Sequence, residues 1–133
     1  MRKTPLMFAS LLFALACDRS AAVLILDARP SRALDNTVVV DVELEAVEQG
    51  GAGVGPYCVS IHWFNAGFNP DTPPLAHYQG ELDQLEQCAK DLSDGDQRTY
   101  RFVSHKTDLP VGASARVQVR HGGTYQTKGV DAP

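Results

Sequence analysis

A chain of 133 residues, 44% hydrophobic and 21% charged, is sized and composed for one globular domain. Twelve Lys and Arg against sixteen Asp and Glu leave a net charge of -4. That balance excludes the concentrated basic face needed to bind nucleic-acid backbones, and the length excludes enzymes with separate cofactor and substrate domains.

The first element is an N-terminal apolar run. Arg2 and Lys3 precede residues 6–16, which are apolar apart from Ser10. The run has the length of a signal-peptide core and falls short of the roughly 20 residues that span a bilayer. Residues 1–16 are therefore predicted to be a signal peptide. The stretch Phe13-Ala14-Leu15-Ala16-Cys17 resembles the lipobox of bacterial lipoproteins, with Ala14 and Leu15 exchanged in size relative to the commoner pattern. The resemblance implies cleavage before Cys17, lipidation of Cys17 and anchoring to a membrane of the bacterial cell envelope, facing the periplasm or the cell surface. Cysteine parity agrees. Of three cysteines, lipidating Cys17 leaves Cys58 and Cys88 as a pair for a disulfide in an oxidising compartment. Cleavage also removes Arg2 and Lys3, leaving ten bases against sixteen acids, a net of -6. Anionic headgroups repel such a domain, so attachment would depend on the acyl chains. Residues 17–21 form the anchor and a short linker, and the folded domain covers 22–133.

The domain reads as strands. Residues 22–26 are a short apolar run ended by Asp27 and Pro30. From Asn36 onward, Val38, Val40, Val42, Leu44 and Ala46 share one face, while Asp41, Glu43 and Glu45 share the other. The glycine-dense bend at 50–56 leads into a second alternating run at 57–64, so it does not open the helix that a dinucleotide-binding loop requires. Residues 99–103 and 113–120 alternate again, and 124–130 can return as a last edge strand. Six or seven strands in one domain predict an all-β sandwich, with a closed barrel as the next choice.

Residues 65–97 break the pattern as an insert. The segment 65–74 is rich in Asn, Gly and Pro. Leu82, Leu85, Cys88, Ala89 and Leu92 then recur at spacings of three and four, which predicts a short amphipathic helix. By strand parity Cys58 points away from the core, so a bridge to Cys88 would pin the insert over the outer face of the sheet. Closing this loop of about 31 residues is worth about 3.7 kcal/mol on chain-entropy grounds.

Chemistry-bearing motifs are sparse. His62, His77, His105 and His121 lack ligand-like spacing, and no metal or cofactor is expected. Around Gly95, Asp91, Asp94 and Asp96 look briefly like a calcium loop, but Phe102 occupies the slot of the bidentate Glu. The acids at 41, 43 and 45 stand about 7 Å apart on a wet face with no nucleophile beside them. No catalytic residue is expected. The candidates for recognition are the aromatics Phe64 and Phe68, which parity places on the outer face or the following loop, with their neighbours Asn65 and Asn69.

The order of a short strand at 23–26, Pro30, a valine-rich strand at 38–44, the bend at 49–56 and Tyr57 resembles the bacterial CARDB-type immunoglobulin-like domain, a relative in shape of fibronectin type III modules. The turn at 95–97 and the stretch 109–119 continue that order, and the insert and the disulfide depart from it. The resemblance implies an immunoglobulin-like β-sandwich used for recognition or scaffolding outside the cytoplasm. The expected function is a non-enzymatic cell-envelope lipoprotein that binds a protein or carbohydrate partner. An exported inhibitor or chaperone-like protein using the pinned insert is the alternative, and a small hydrolase stands behind it.

Replacing Cys17 with Ser should abolish acylation and lipoprotein-type cleavage. The intact mass of the mature wild-type protein checks this, because it should carry acyl chains on residue 17.

Overall fold

The computed structural model describes residues 21–48, 54–67 and 81–133. The predicted signal peptide 1–16, Cys17, the linker up to residue 20, and Phe68 and Asn69 lie outside the described residues. Seven strands follow in order: β1 (Ala21–Arg32), β2 (Val38–Glu48), β3 (Tyr57–Phe64), β4 (Asp83–Ala89), β5 (Gln97–Val103), β6 (Ser114–His121) and β7 (Thr124–Asp131). They form two antiparallel sheets, β1-β2-β5 and β4-β3-β6-β7. Both sheets contribute to one core. Val23, Val40, Val42 and Leu44 come from the first, and Val59, Ile61, Trp63, Val117 and Val119 from the second. This is the arrangement of a β-sandwich.

β2 follows its pattern. Val38, Val40, Val42, Leu44 and Ala46 are buried. On the wet face Asp41 lies between Arg29 and Arg101 in register, and Arg101 donates to its carboxylate at 2.9 and 3.2 Å. That contact holds the Asp41 carboxyl below its ordinary range. Asn36 belongs to the turn before β2, with φ of 71°, in the left-handed region that Asn tolerates.

β1 runs longer than its apolar core predicts, passing through Asp27 and Pro30 to Arg32. A register shift between Ile25 and Asp27 leaves Leu26 unpaired and 40% exposed. The extra residue flips the parity, so Val23 and Ala28 both face the core. Pro30 is tolerated because β1 is an edge strand, where a missing N–H breaks no second ladder.

The expected helix in the insert is not formed. Residues 83–89 are strand β4, paired along its length with β3. A spacing of four is even, so Leu85 and Ala89 also share a face on a strand, and both pack against the core. Cys88 falls on the opposite face, directly across from Cys58. Leu82 and Leu92 flank the strand, Leu92 forming an isolated bridge with Val54. The three-and-four periodicity was satisfied by a different geometry, because cross-strand pairing outweighs a short local preference.

Side chains close the open edges between the sheets. Gln87 of β4 donates to the Arg101 carbonyl of β5 at 3.0 Å, and Asp83 accepts from the His105 backbone at 2.7 Å. On the other side the Ile25 N–H reaches Gln126 of β7 at 3.4 Å. Arg32 ties the β1–β2 turn to the Leu109 and Pro133 carbonyls, both at 2.9 Å.

A core phenol keeps its hydroxyl part-buried. Tyr57 is buried, and its hydroxyl meets that of Tyr100 at 2.7 Å. Burial, then the bond to Tyr100, raises the Tyr57 phenol well above its ordinary value of 10. An acid whose pKa is raised on folding stabilises the fold fully below the unfolded pKa. That contribution fades as pH rises through about 10 towards the folded value. Tyr57→Phe should cost about 1 kcal/mol at neutral pH through the lost hydrogen bond. It should also flatten the fall in stability above pH of about 10, as urea unfolding across pH 8 to 11 would show.

Candidate functional site

β3 is covered on both faces. Tyr57, Val59, Ile61 and Trp63 point into the core, while Cys58, Ser60, His62 and Phe64 take the outer side of the sheet. An outer face on a sandwich is ordinarily wet, yet Ser60, His62 and Phe64 are all buried. The neighbours in register explain the chemistry found there. Ser60 lies between Glu86 of β4 and Gln118 of β6, His62 between Gln84 and Arg116, and Cys58 between Cys88 and Arg120. Arg120 in turn faces Tyr125 of β7. Period two on four adjacent strands thus collects polar side chains into one patch.

Within the patch three groups connect in series. Ser60 Oγ lies 3.0 Å from His62 Nε2, and Gln118 Nε2 donates to Ser60 Oγ at 3.5 Å. On the other side of the ring, His62 Nδ1 is 3.5 Å from Glu81 Oε2. The His62 and Glu81 side chains are 2% and 10% exposed, and among the described residues these two atoms make no hydrogen bond. Glu81 is brought here by its neighbour, since the Leu82 N–H donates to the Trp63 carbonyl at 2.7 Å and fixes the approach to β4. A carboxylate beside Nδ1 favours the tautomer with its proton on Nδ1. Nε2 is then free to accept from the Ser60 hydroxyl. Donation therefore runs one way, from Gln118 to Ser60 to His62, and ends facing a carboxylate.

Ser60 and His62 line an open cavity of about 280 Å³. Its other walls are Gln84 and Glu86 of β4, Gln118 and Arg120 of β6, and Tyr125 of β7. Amide, carboxylate, guanidinium and phenol groups face one space, which suits a ligand rich in hydroxyl or carbonyl groups. A second cavity of about 370 Å³ lies at the disulfide end, lined by Pro56, Tyr57, Cys58, Cys88, Ala89, Arg120 and Gly122.

Cys58 and Cys88 are joined in a disulfide, with Cα atoms 4.0 Å apart. The bond links two directly opposed residues of neighbouring strands, and so pins a strand rather than a helix. Cys58, Cys88 and Glu86 form a cluster with metal-ligand atom types, but both sulfurs are committed to each other.

Of the four residues expected to carry recognition, Phe64 and Asn65 are among the described residues. Phe64 does lie on the outer side, as parity predicts, but it is only 1% exposed and offers no surface to a partner. Asn65 is exposed in the turn after β3, and Phe68 and Asn69 fall outside the described residues. The polar group that does converge was missed. The signal available was Ser60 and His62 on one strand face beside Cys58. Glu81 and Gln118 carried none, because only pairing brings them near. No known family, curated protein or solved structure matches the chain.

Ser60→Ala should cost about 1–2 kcal/mol, since it removes the hydrogen bonds with His62 and Gln118 but little volume. His62→Ala should cost about 2–4 kcal/mol, because it opens a buried space and strands the Glu81 carboxylate. Chemical denaturation of the two variants checks the order.

Proposed function

We propose that this protein is a bacterial cell-envelope lipoprotein, tethered through acylated Cys17, whose immunoglobulin-like sandwich binds a carbohydrate of the envelope. The charged start and the lipobox-like residues before Cys17 support the tether, and a disulfide between the other two cysteines fits an oxidising compartment. The division into β1-β2-β5 and β4-β3-β6-β7 supports the resemblance to fibronectin type III modules. The observation that carries the ligand class is the polar cavity on the outer face of the four-stranded sheet.

Glu86, Arg120, Gln84 and Gln118 are planar, forked groups, and such groups take adjacent hydroxyls in pairs. Tyr125 adds a ring on which the apolar face of a sugar can rest while its own hydroxyl stays wet. Phe64 does not supply such a ring, since it is buried.

Glu86→Ala and Arg120→Ala should each weaken binding of envelope oligosaccharides about tenfold, the size of one hydrogen bond to a charged group. Both are solvent-facing, so folding should be nearly unchanged. Calorimetric titration with oligosaccharides released from bacterial envelopes tests this. Undiminished affinity in both variants would place the ligand away from both cavities that Arg120 lines.

A further inference from the structure

We propose that Ser60 is a nucleophile and that the cavity above it is an acyl-transfer centre for carboxylic esters of polar alcohols. The inference rests on the binding reading for what enters the cavity, and on separate atoms for what happens there. Ser60 Oγ is within hydrogen-bond distance of His62 Nε2, the nitrogen left basic when a carboxylate sits at Nδ1. That connectivity, hydroxyl to Nε2 and Nδ1 to carboxylate, is what general-base activation of a serine requires. Two side-chain atoms of this series, His62 Nδ1 and Glu81 Oε2, are buried with no hydrogen bond among the described residues. Buried polar atoms left unpaired are costly and uncommon, and a contact that tightens when substrate fills the site accounts for them.

The step balances within these groups. Ser60 Oγ attacks the ester carbonyl carbon and its proton passes to His62 Nε2. The C–O bond to the alcohol breaks, and the leaving alkoxide takes that proton from His62. Water then attacks the acyl-serine, giving its proton to His62, which returns it to Ser60 as the carboxylic acid departs. Backbone N–H groups of β3 and β6 are committed to strand pairing, so the developing oxyanion must be met by side chains. Gln118, whose Nε2 already reaches Ser60 Oγ, and Arg120 are the donors on the same wall. Glu81 is a positioning residue that holds the His62 tautomer. A polar lining and a volume of about 280 Å³ favour a small acyl group on a hydroxyl-rich alcohol.

The test is labelling of the full-length protein by an alkyl fluorophosphonate, read by intact mass and peptide mapping. Ser60 Oγ attacks phosphorus, fluoride leaves, and the proton goes to His62. One adduct on Ser60 is expected, absent in Ser60→Ala. The labelling rate should fall about 100-fold or more in His62→Gln, the size of a general-base contribution. In Glu81→Gln it should fall less, with a displaced pH profile that a purely structural role would not produce. Thermal melting of each variant establishes that it is folded. No adduct on the folded wild type, or an adduct that persists in Ser60→Ala, overturns the proposal. Oligosaccharide binding without an adduct removes the nucleophile and leaves the binding reading standing, whereas an adduct without oligosaccharide binding does the reverse.

Discussion

β3 has to be satisfied on both of its faces, and the rest of the molecule is arranged around that constraint. Its inner face supplies Tyr57, Val59, Ile61 and Trp63 to the shared core. Its outer face carries Ser60 and His62 out of bulk water, where an unpaired polar atom is expensive. Pairing with β4 on one side and β6 on the other answers the backbone. Among the described residues, the side chains of those neighbours and Glu81 before β4 stand beside the hydroxyl and the imidazole.

The disulfide serves the same constraint. A bond between Cys58 and Cys88 fixes the β3–β4 register, and register decides which β4 side chains stand beside Ser60 and His62. A slip of one residue would turn Glu86 and Gln84 inward and bring Leu85 out to the polar face. The covalent link thus stabilises a strand and also defines the composition of a cavity wall. Gln87 and Asp83, reaching towards β5 and the chain after it, hold the same strand from its other side.

Burial of Phe64 changes where recognition is sought. Aromatic residues at outward parity read as binding candidates only if that face is open. Here the face is covered at Phe64 and open at the polar patch near β4, β6 and β7. In the proposed function, polar, forked side chains replace rings as the means of contact. Asp41 of β2, by contrast, sits on a wet face between Arg29 and Arg101, and Arg101 holds its carboxylate.

Much of the fold was legible in the residues themselves. The valines of β2, the alternation of β3 and β6, and the pairing of Cys58 with Cys88 all follow from period-two burial and from cysteine parity, which are properties of local order. The identity of β4 was not legible, because leucines and a cysteine three and four apart suit a helix or a strand equally well. Its partner strand decided the matter. The bulge at Leu26 was hidden for a similar reason, since an extra residue becomes visible only against the register of β2. The convergence of Glu81 and Gln118 on Ser60 and His62 was decided by tertiary structure alone. Those residues are far apart along the chain, and side chains from separate strands meet only once hydrogen-bonded pairing has set their order and register.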